Sequence, residues 1–227
     1  MVVARARPKN ALRREPLTRD RVLLVAVDVA DRNGLEALSM RKLGQELGVD
    51  AMALYRHVRN KDDLLDGLVD VIVGQIERVE PDGNWKAALR AQALAARGVM
   101  LRHPWARRVL EERGTAGLSV IAYVETVLGI LHAGGFSVDL AHHALHVLSS
   151  RIFGFSQDLF ETGRQPEPSP ETAATMMRVM AERYPHVSEM ARSVTHEGVL
   201  GPCDDDFEFA FGLGLVLDGL ERLRATA

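Results

Sequence analysis

The sequence is poor in cysteine and in aromatic residues. Of its 227 residues only Cys203 is a cysteine, and 5% are aromatic. Because one cysteine cannot form an internal disulfide, the sequence excludes a fold held together by disulfides within the chain. No apolar run is long enough to cross a bilayer as one helix. The basic N-terminal stretch also lacks the apolar segment of a secretory signal, so we expect a cytoplasmic protein.

The sequence also lacks the alternating pattern of β-strands and has no internal repeat. Hydrophobic residues make up 47% of the chain, which is ample for a sizeable core. Leucine, alanine and valine dominate this fraction, and apolar positions recur at helical spacing. We therefore predict an all-α protein with an N-terminal helix-turn-helix domain and a C-terminal helical domain.

Charge is distributed unevenly along the chain. Residues 1–61 contain 13 Lys and Arg against 7 Asp and Glu, whereas residues 62–227 contain 15 against 24. The differences are +6 and −9, which suggests a polyanionic partner for the N-terminal part. A chance imbalance on a solvated surface explains the same numbers. Residues 1–16 are expected to form a disordered basic arm, which either contacts DNA or only aids solubility.

Residues that cap helices divide the N-terminal part into four predicted helices. Thr18, Ser39, Asp50 and Asn60 are placed to cap their N-termini. The predicted spans are 19–33, 40–47, 51–57 and 61–79. Residues 81–83, Pro-Asp-Gly, interrupt the pattern and give a domain boundary, with a DNA-binding domain at 17–80 and a regulatory and dimerisation domain at 84–227.

The second and third predicted helices have the features of a helix-turn-helix. Gly44 and Gly48 permit a close approach around a short turn. In such a motif the second helix lies in the major groove and its first residues meet base edges. A plain helical hairpin inside a bundle uses the same glycines and caps, so spacing alone leaves both interpretations open.

Residues 17–78 resemble the N-terminal domain of the TetR family of transcriptional repressors. The resemblance rests on the blocks GLEALSMRKLGQELGV, ALYRHVRNK and LLDGL. They are most similar to the tetracycline-repressor branch, in which Leu-Tyr-X-His-Val-X-Asn-Lys occurs, as at residues 54–61 here. The family implies an all-helical homodimer that binds a palindromic operator and is released by a small molecule.

The resemblance also implies which residues contact DNA. The supporting helix would contribute base and phosphate contacts, the tip of the recognition helix would read bases, and the remaining positions would hold the DNA backbone. The supporting-helix residues are Ser39, Met40 and Arg41, and the base-reading residues are Ala51, Met52 and Ala53. The residues that would hold the DNA backbone are Tyr55, Arg56, His57 and Lys61. The tetracycline-repressor branch has Gln-Pro-Thr where this chain has Ala-Met-Ala at 51–53, so the operator sequence does not transfer. Apolar contact with thymine methyl groups is the expected use of these side chains.

Two C-terminal helices carry more apolar surface than one face of a helix needs. The last helix, predicted from residue 204 to 224, is apolar on every side between 209 and 217 and has to be covered all round. The helix predicted at 137–160 is similar. We expect these two helices to form a four-helix interface in a homodimer, or else the centre of a monomeric core.

A ligand site is expected among the helices predicted at 85–102, 119–132 and 137–160. Its candidate residues are Met100, His103, Trp105, Tyr123, Arg151 and Phe155, and ordinary core packing is the alternative for each of them. The sequence suggests no cofactor and no membrane partner. One alternative is a helical enzyme or metal sensor using His103 or the pair His142 and His146, although a metal needs more ligands than that pair supplies. The other is a helical protein without DNA binding, which leaves the basic N-terminal part unexplained.

Overall fold

The computed structural model describes residues 16–81, 83–113, 117–154, 169–194 and 204–226, and these residues form helices and no strand. The all-α prediction is therefore confirmed. The helices are α1 (Arg19–Asn33), a 3₁₀ turn (Leu35–Ala37), α2 (Met40–Leu47), α3 (Ala51–Leu54), α4 (Lys61–Val73), α5 (Trp85–Arg102), α6 (Ala106–Arg113), α7 (Leu118–Ala133), α8 (Val138–Phe153), α9 (Pro170–Arg183), α10 (Pro185–Val194) and α11 (Asp205–Thr226). Within these ranges no single helix is both long and apolar enough to cross a membrane.

The four predicted N-terminal caps are present. Each side-chain oxygen accepts a hydrogen bond from a backbone N–H in the first turn, which satisfies a group that the helix itself leaves unpaired. The pairs are Thr18 with Arg21, Ser39 with Lys42, Asp50 with Met52, and Asn60 with Asp63. Gly48 ends α2 in the left-handed conformation, with φ of 66°, as its position predicted.

Two of the N-terminal helices are shorter than predicted. The third was expected to reach His57, but α3 ends at Leu54, since the N–H groups of His57 and Val58 both bond the Leu54 carbonyl. The fourth was expected to reach Val79, but α4 ends at Val73. From residue 75 the backbone bonds shorten to i→i+3 spacing, which tightens the chain into turns after Gly74. Apolar periodicity continued past both ends and concealed them.

The chain forms two compact units. The first contains residues 16–80 and 94–127, and the second contains residues 81–93 and 128–227, as far as these are described. Helices α5 and α7 each contribute to both. This division differs from the boundary predicted at 81–83, because the second half of α5, α6 and the first half of α7 pack with the N-terminal helices. The division into domains at 17–80 and 84–227 stays a prediction.

The N-terminal helices of the first unit share one apolar core. Leu43 of α2, Leu54 of α3, and Leu64, Leu68 and Ile72 of α4 are almost completely buried. Helices α1 and α4 pack so closely that a Cβ added at Gly67 would lie 2.6 Å from a Leu23 methyl carbon. We call residues 17–80 the head. Its core fixes the short α3 through the single buried side chain of Leu54.

The second unit is organised around α8 and α11. Leu148 of α8 and Leu213 and Leu217 of α11 are buried. The Arg151 guanidinium lies 4.8 Å from the Phe209 ring centroid and donates to the Glu208 carbonyl at 2.6 Å. These contacts tie the end of α8 to the beginning of α11. The part of the predicted 137–160 helix after residue 154 lies outside the described residues.

Candidate DNA-binding site

The helix-turn-helix is held by a close approach of backbone to backbone. A Cβ added at Gly44 of α2 would lie 2.9 Å from the Val49 carbonyl oxygen and 3.2 Å from the Ala51 nitrogen. Any larger side chain at this position would push α3 away from α2. Gly44 therefore sets how far the tip of α3 projects from the head.

The side chains at the tip of the head differ sharply in exposure. Met52 is 71% exposed, and Tyr55 is 45% exposed. Ala51 and Ala53, on either side of Met52, are half-buried, and Leu54 is completely buried. The tip therefore offers one flexible apolar side chain and two small ones, which lets backbone approach a groove floor closely. Met52 can contact thymine methyl groups, but it cannot donate a hydrogen bond.

Cationic and polar groups surround this tip. Arg41, Arg56 and Lys61 are exposed, and Met40 and His57 are half-buried. The Ser39 hydroxyl oxygen accepts from the Lys42 N–H at 3.2 Å, and its own O–H can still donate to a phosphate. Most of the predicted DNA-binding residues are thus at least partly accessible on α2, α3 and the beginning of α4. Their contact with DNA stays a prediction.

An ion-pair network locks the loop that follows α3, and the sequence analysis missed it. The Arg19 guanidinium donates to both Asp63 carboxylate oxygens, at 2.8 and 3.1 Å, and to the His57 carbonyl at 2.8 Å. The backbone N–H of Arg59 donates to Asp63 at 2.8 Å. The Arg19 guanidinium, followed by the Arg59 N–H, holds the pKa of Asp63 well below its usual range. The sequence gives only a local signal, because Asp63 completes an Asn-x-x-Asp pattern that begins at the Asn60 cap, and this pattern does not point to Arg19, 44 residues earlier.

Carboxylates along α4 connect the head to the α6–α7 corner within the first unit. Arg113, the last residue of α6, donates to Asp62 and to Asp66, each at 2.7 Å. One turn further, Asp70 accepts from the Ser119 N–H at 2.8 Å and so caps α7. Three carboxylates at i, i+4 and i+8 of α4 therefore hold the last residue of α6 and the first turn of α7.

The predicted ligand residues separate into different environments. Met100 and Tyr123 are buried in the first unit, and burial raises the pKa of the Tyr123 hydroxyl. His103 and Trp105, also in the first unit, both bond Asp31 of α1. Arg151 belongs to the second unit and contacts α11, and Phe155 lies outside the described residues. A role for any of them in ligand binding stays a prediction.

A groove of about 620 Å³ lies elsewhere in the first unit, between α1, α4 and the beginning of α7. Its walls include the exposed side chains of Leu24 and Leu118 and the carboxylates of Asp20, Asp66 and Asp70. None of the five predicted ligand residues that the structure describes lines this groove.

The histidines of α8 lie on its solvent-facing side. The rings of His142 and His146 are 4.6 Å apart between centroids, and His143 Nε2 is 3.8 Å from an Asp139 oxygen. Across the described ranges, no three His, Cys, Asp or Glu side chains are grouped so that they could hold a metal ion.

Two family descriptions match the chain over nearly its whole length. "Tetracyclin repressor-like, C-terminal domain" matches residues 79–224, which is more than half of the chain, and "Bacterial regulatory proteins, tetR family" matches residues 22–68. The chain belongs to the TetR family. The resemblance inferred from residues 17–78 is therefore confirmed.

Individual relatives of this TetR-family chain agree. The HTH-type transcriptional repressor DrrR1 of Streptomyces coeruleorubidus is 33% identical over 216 residues, which are 92% of this chain and 79% of the relative. The class C tetracycline repressor of Escherichia coli is 28% identical over 214 residues, which are 92% and 93% of the two chains. ActR from Streptomyces coelicolor, in its complex with actinorhodin, has a TM-score of 0.73 and 29% identity over 92% of this chain and 99% of ActR. The chain is thus a ligand-responsive DNA-binding repressor, as predicted.

Proposed function

We propose that this repressor reads its operator with the tip of α3 and holds the DNA backbone with the residues around it. Ala51, Met52 and Ala53 would meet base edges, and Ser39, Met40 and Arg41 would support them from α2. Tyr55, Arg56, His57 and Lys61 would contact phosphate and sugar. The observation that carries the proposal is the exposed Met52 side chain on a helix whose other side is anchored by the buried Leu54.

Paired variants test the DNA contacts. The operator is first selected from random duplexes by the wild-type protein, and affinity is then measured by fluorescence anisotropy at several salt concentrations. Arg41→Ala and Tyr55→Phe should each weaken operator binding by ~1–3 kcal/mol. Arg178→Ala and Tyr184→Phe remove the same groups from exposed positions in and next to α9, and they should leave affinity unchanged. Equal effects from both pairs would contradict the assignment.

The same proposal includes a homodimer formed through α8 and α11, the helices predicted at 137–160 and 204–224. Phe207, Phe211 and Leu215 are each more than half exposed and follow one another at four-residue spacing along α11. A continuous apolar stripe of this kind costs free energy in water, and a second copy of the chain can cover it. Since a palindromic operator has two-fold symmetry, a two-fold dimer matches it.

The proposed effector is a small organic molecule. ActR has been crystallised with actinorhodin and with (S)-DNPA, which makes both compounds the first probes for this chain. A compound that raises the unfolding temperature and also releases the protein from operator DNA would support the proposal. The predicted ligand residues Met100 and Tyr123 can then be substituted, and effector affinity should fall while operator affinity in its absence is retained.

We propose that the chain acts in the cytoplasm and without catalysis. An enzyme or metal sensor built on His103 or on His142 and His146 is the alternative. His103 uses both ring nitrogens in contacts with Asp31 and Gln75, which disfavours a role as a general base. Isothermal titration with Zn²⁺ tests the metal alternative, and binding that is abolished by His142→Ala would support it.

A further inference from the structure

His103 occupies a junction between three segments of the first unit. It follows the last residue of α5 and precedes Pro104, and it is only 8% exposed. Its Nδ1 lies 2.8 Å from an Asp31 carboxylate oxygen on α1, and its Nε2 lies 3.1 Å from Oε1 of Gln75, two residues beyond α4. One imidazole ring therefore bridges the ends of the two long helices of the head.

Asp31 receives a second hydrogen bond from the same segment. The indole Nε1 of Trp105 donates to Asp31 Oδ1 at 2.6 Å. With Nδ1–H of His103 donating as well, one carboxylate oxygen holds two side chains on either side of Pro104. Hydrogen bonds to an ionised acceptor are stronger than neutral ones, and this carboxylate is partly shielded from water.

The position of these bonds gives them a mechanical role. Proline at 104 prevents α5 from continuing unbroken, so the direction in which the chain leaves α5 depends on side-chain contacts. Asp31 and Gln75 lie near the C-terminal ends of α1 and α4, whereas the DNA-binding tip lies on α2 and α3. Because His103 bonds the C-terminal ends of both α1 and α4, these bonds restrain rotation of the head relative to the end of α5.

We propose that His103, Asp31, Gln75 and Trp105 form a latch that fixes the head against the end of α5. His103 and Asp31 are positioning residues, because the proposed base and phosphate contacts belong to other side chains. The latch sets how well the two heads of a dimer fit two half-sites at once, and it leaves the fit of one head to one half-site unchanged. This inference rests on the proposed dimeric operator binding.

Variants at His103 and at Asp31 test the hydrogen bond between these two side chains, because some of them keep the bond and others lose it. Asparagine at 103 places an amide nitrogen about where Nδ1 is, and glutamine reaches about as far as Nε2. His103→Asn should therefore keep the bond to Asp31, and His103→Gln should lose it. Asp31→Asn keeps an oxygen acceptor for both donors, whereas Asp31→Ala removes it.

The measured quantity is the ratio of affinities for the full palindrome and for a duplex with one half-site scrambled. Asp31→Ala and His103→Gln should lower this ratio about tenfold. Asp31→Asn and His103→Asn should keep it within about threefold of wild type. A parallel loss of affinity for both duplexes, or equal ratios for Asp31→Ala and Asp31→Asn, would overturn the latch.

Hydrogen exchange without DNA provides a second readout. In Asp31→Ala, amides in the last turn of α1 and at residues 73–76 should exchange faster than in wild type, while those of α2 should not change. Unchanged exchange at both ends overturns the latch, whatever the DNA result. A wild-type protein with no preference for the palindrome would instead contradict the proposed dimeric reading of DNA, and the exchange experiment would then decide the latch alone.

Discussion

The tip of the head and the outer face of α11 both expose apolar side chains, but they do so in different ways. Among the first three residues of α3, Met52 is the exposed one, with the smaller and half-buried Ala51 and Ala53 beside it. On α11, Phe207, Phe211 and Leu215 form a row along two turns. A single exposed apolar residue is ordinary on a protein surface, whereas a continuous row indicates a partner.

The two regions also differ in what holds them in place. The head supports its exposed methionine with directional groups, namely the caps, the Gly44 contact and the Arg19–Asp63 network. Helix α11 packs on α8 through Leu213 and Leu217 and is also held by polar contacts from Arg151, Lys86 and Arg224, but the side chains of its exposed row are apolar throughout. The head is therefore suited to present a fixed shape to a groove, and α11 is suited to bury area against a second chain.

The largest expected effect comes from disrupting the exposed apolar row of α11. Phe211→Asp places a charge in the middle of the apolar stripe, and the dimer dissociation constant should rise by about 100-fold. Sedimentation equilibrium measures it directly. Leu94→Asp is the matched control, because Leu94 is 46% exposed on α5, outside the proposed interface. If the control dissociates the dimer equally, the interface is elsewhere.

The next effect breaks the geometry of the head. Gly44→Ala forces a Cβ to within 2.9 Å of the Val49 carbonyl oxygen, and we expect a loss of ~1–3 kcal/mol in unfolding free energy. Urea unfolding followed by circular dichroism gives this value. Gly98→Ala in α5 meets only the Arg102 guanidinium at 3.9 Å and should stabilise the protein slightly. Equal stability of the two variants would contradict the close α2–α3 contact.

A third variant tests the polar support of the loop that follows α3. Asp63 is 12% exposed, and Asp63→Asn should cost ~1–3 kcal/mol near neutral pH. Because the pKa of Asp63 is lowered in the folded state, its stabilisation is complete above the unfolded pKa and is lost as the pH falls toward the folded one. The difference between wild type and variant should therefore hold from about pH 7 to about pH 5 and then shrink as the pH falls from about 4 to about 2. A constant difference would show that the ion pair is not its source.

The smallest expected effect tests whether the exposed Met52 side chain contributes to base selectivity. Met52→Ala removes an exposed side chain and should leave the unfolding free energy nearly unchanged. Selectivity among base pairs under α3 should nevertheless fall by about 1 kcal/mol at the position it contacts. Selection of operators from random duplexes by wild type and variant would reveal which base pair loses its preference. Identical selected sequences would exclude base reading by Met52.

The sequence predicted the start of most elements because caps are local. Thr18, Ser39, Asp50 and Asn60 each bond a backbone N–H within the next three residues, so the neighbouring sequence suffices to identify them. The ends of α3 and α4 were placed too late, because apolar periodicity continues into turns that only the backbone bonds reveal.

Contacts between distant residues were beyond the sequence. His103 was predicted to face a ligand, but its bonds reach 72 residues back to Asp31 and 28 residues back to Gln75. The pairing of Arg19 with Asp63 spans 44 residues. Periodicity identifies the face of a helix that is buried, but it does not identify which polar group of another helix that face will contact. The head's fold was therefore predictable, whereas the network that positions it was not.

The four-residue length of α3 has a consequence for redesign of operator choice. A helix of one turn is not stable in isolation, so α3 depends on contacts with the rest of the head for its conformation. Its first three side chains then contribute little to folding, because the buried Leu54, the Asp50 cap and the Gly44 contact secure it. Substitutions at 51–53 should consequently retarget the repressor without a compensating change in its core, which makes this chain a suitable host for exchanging recognition sequences.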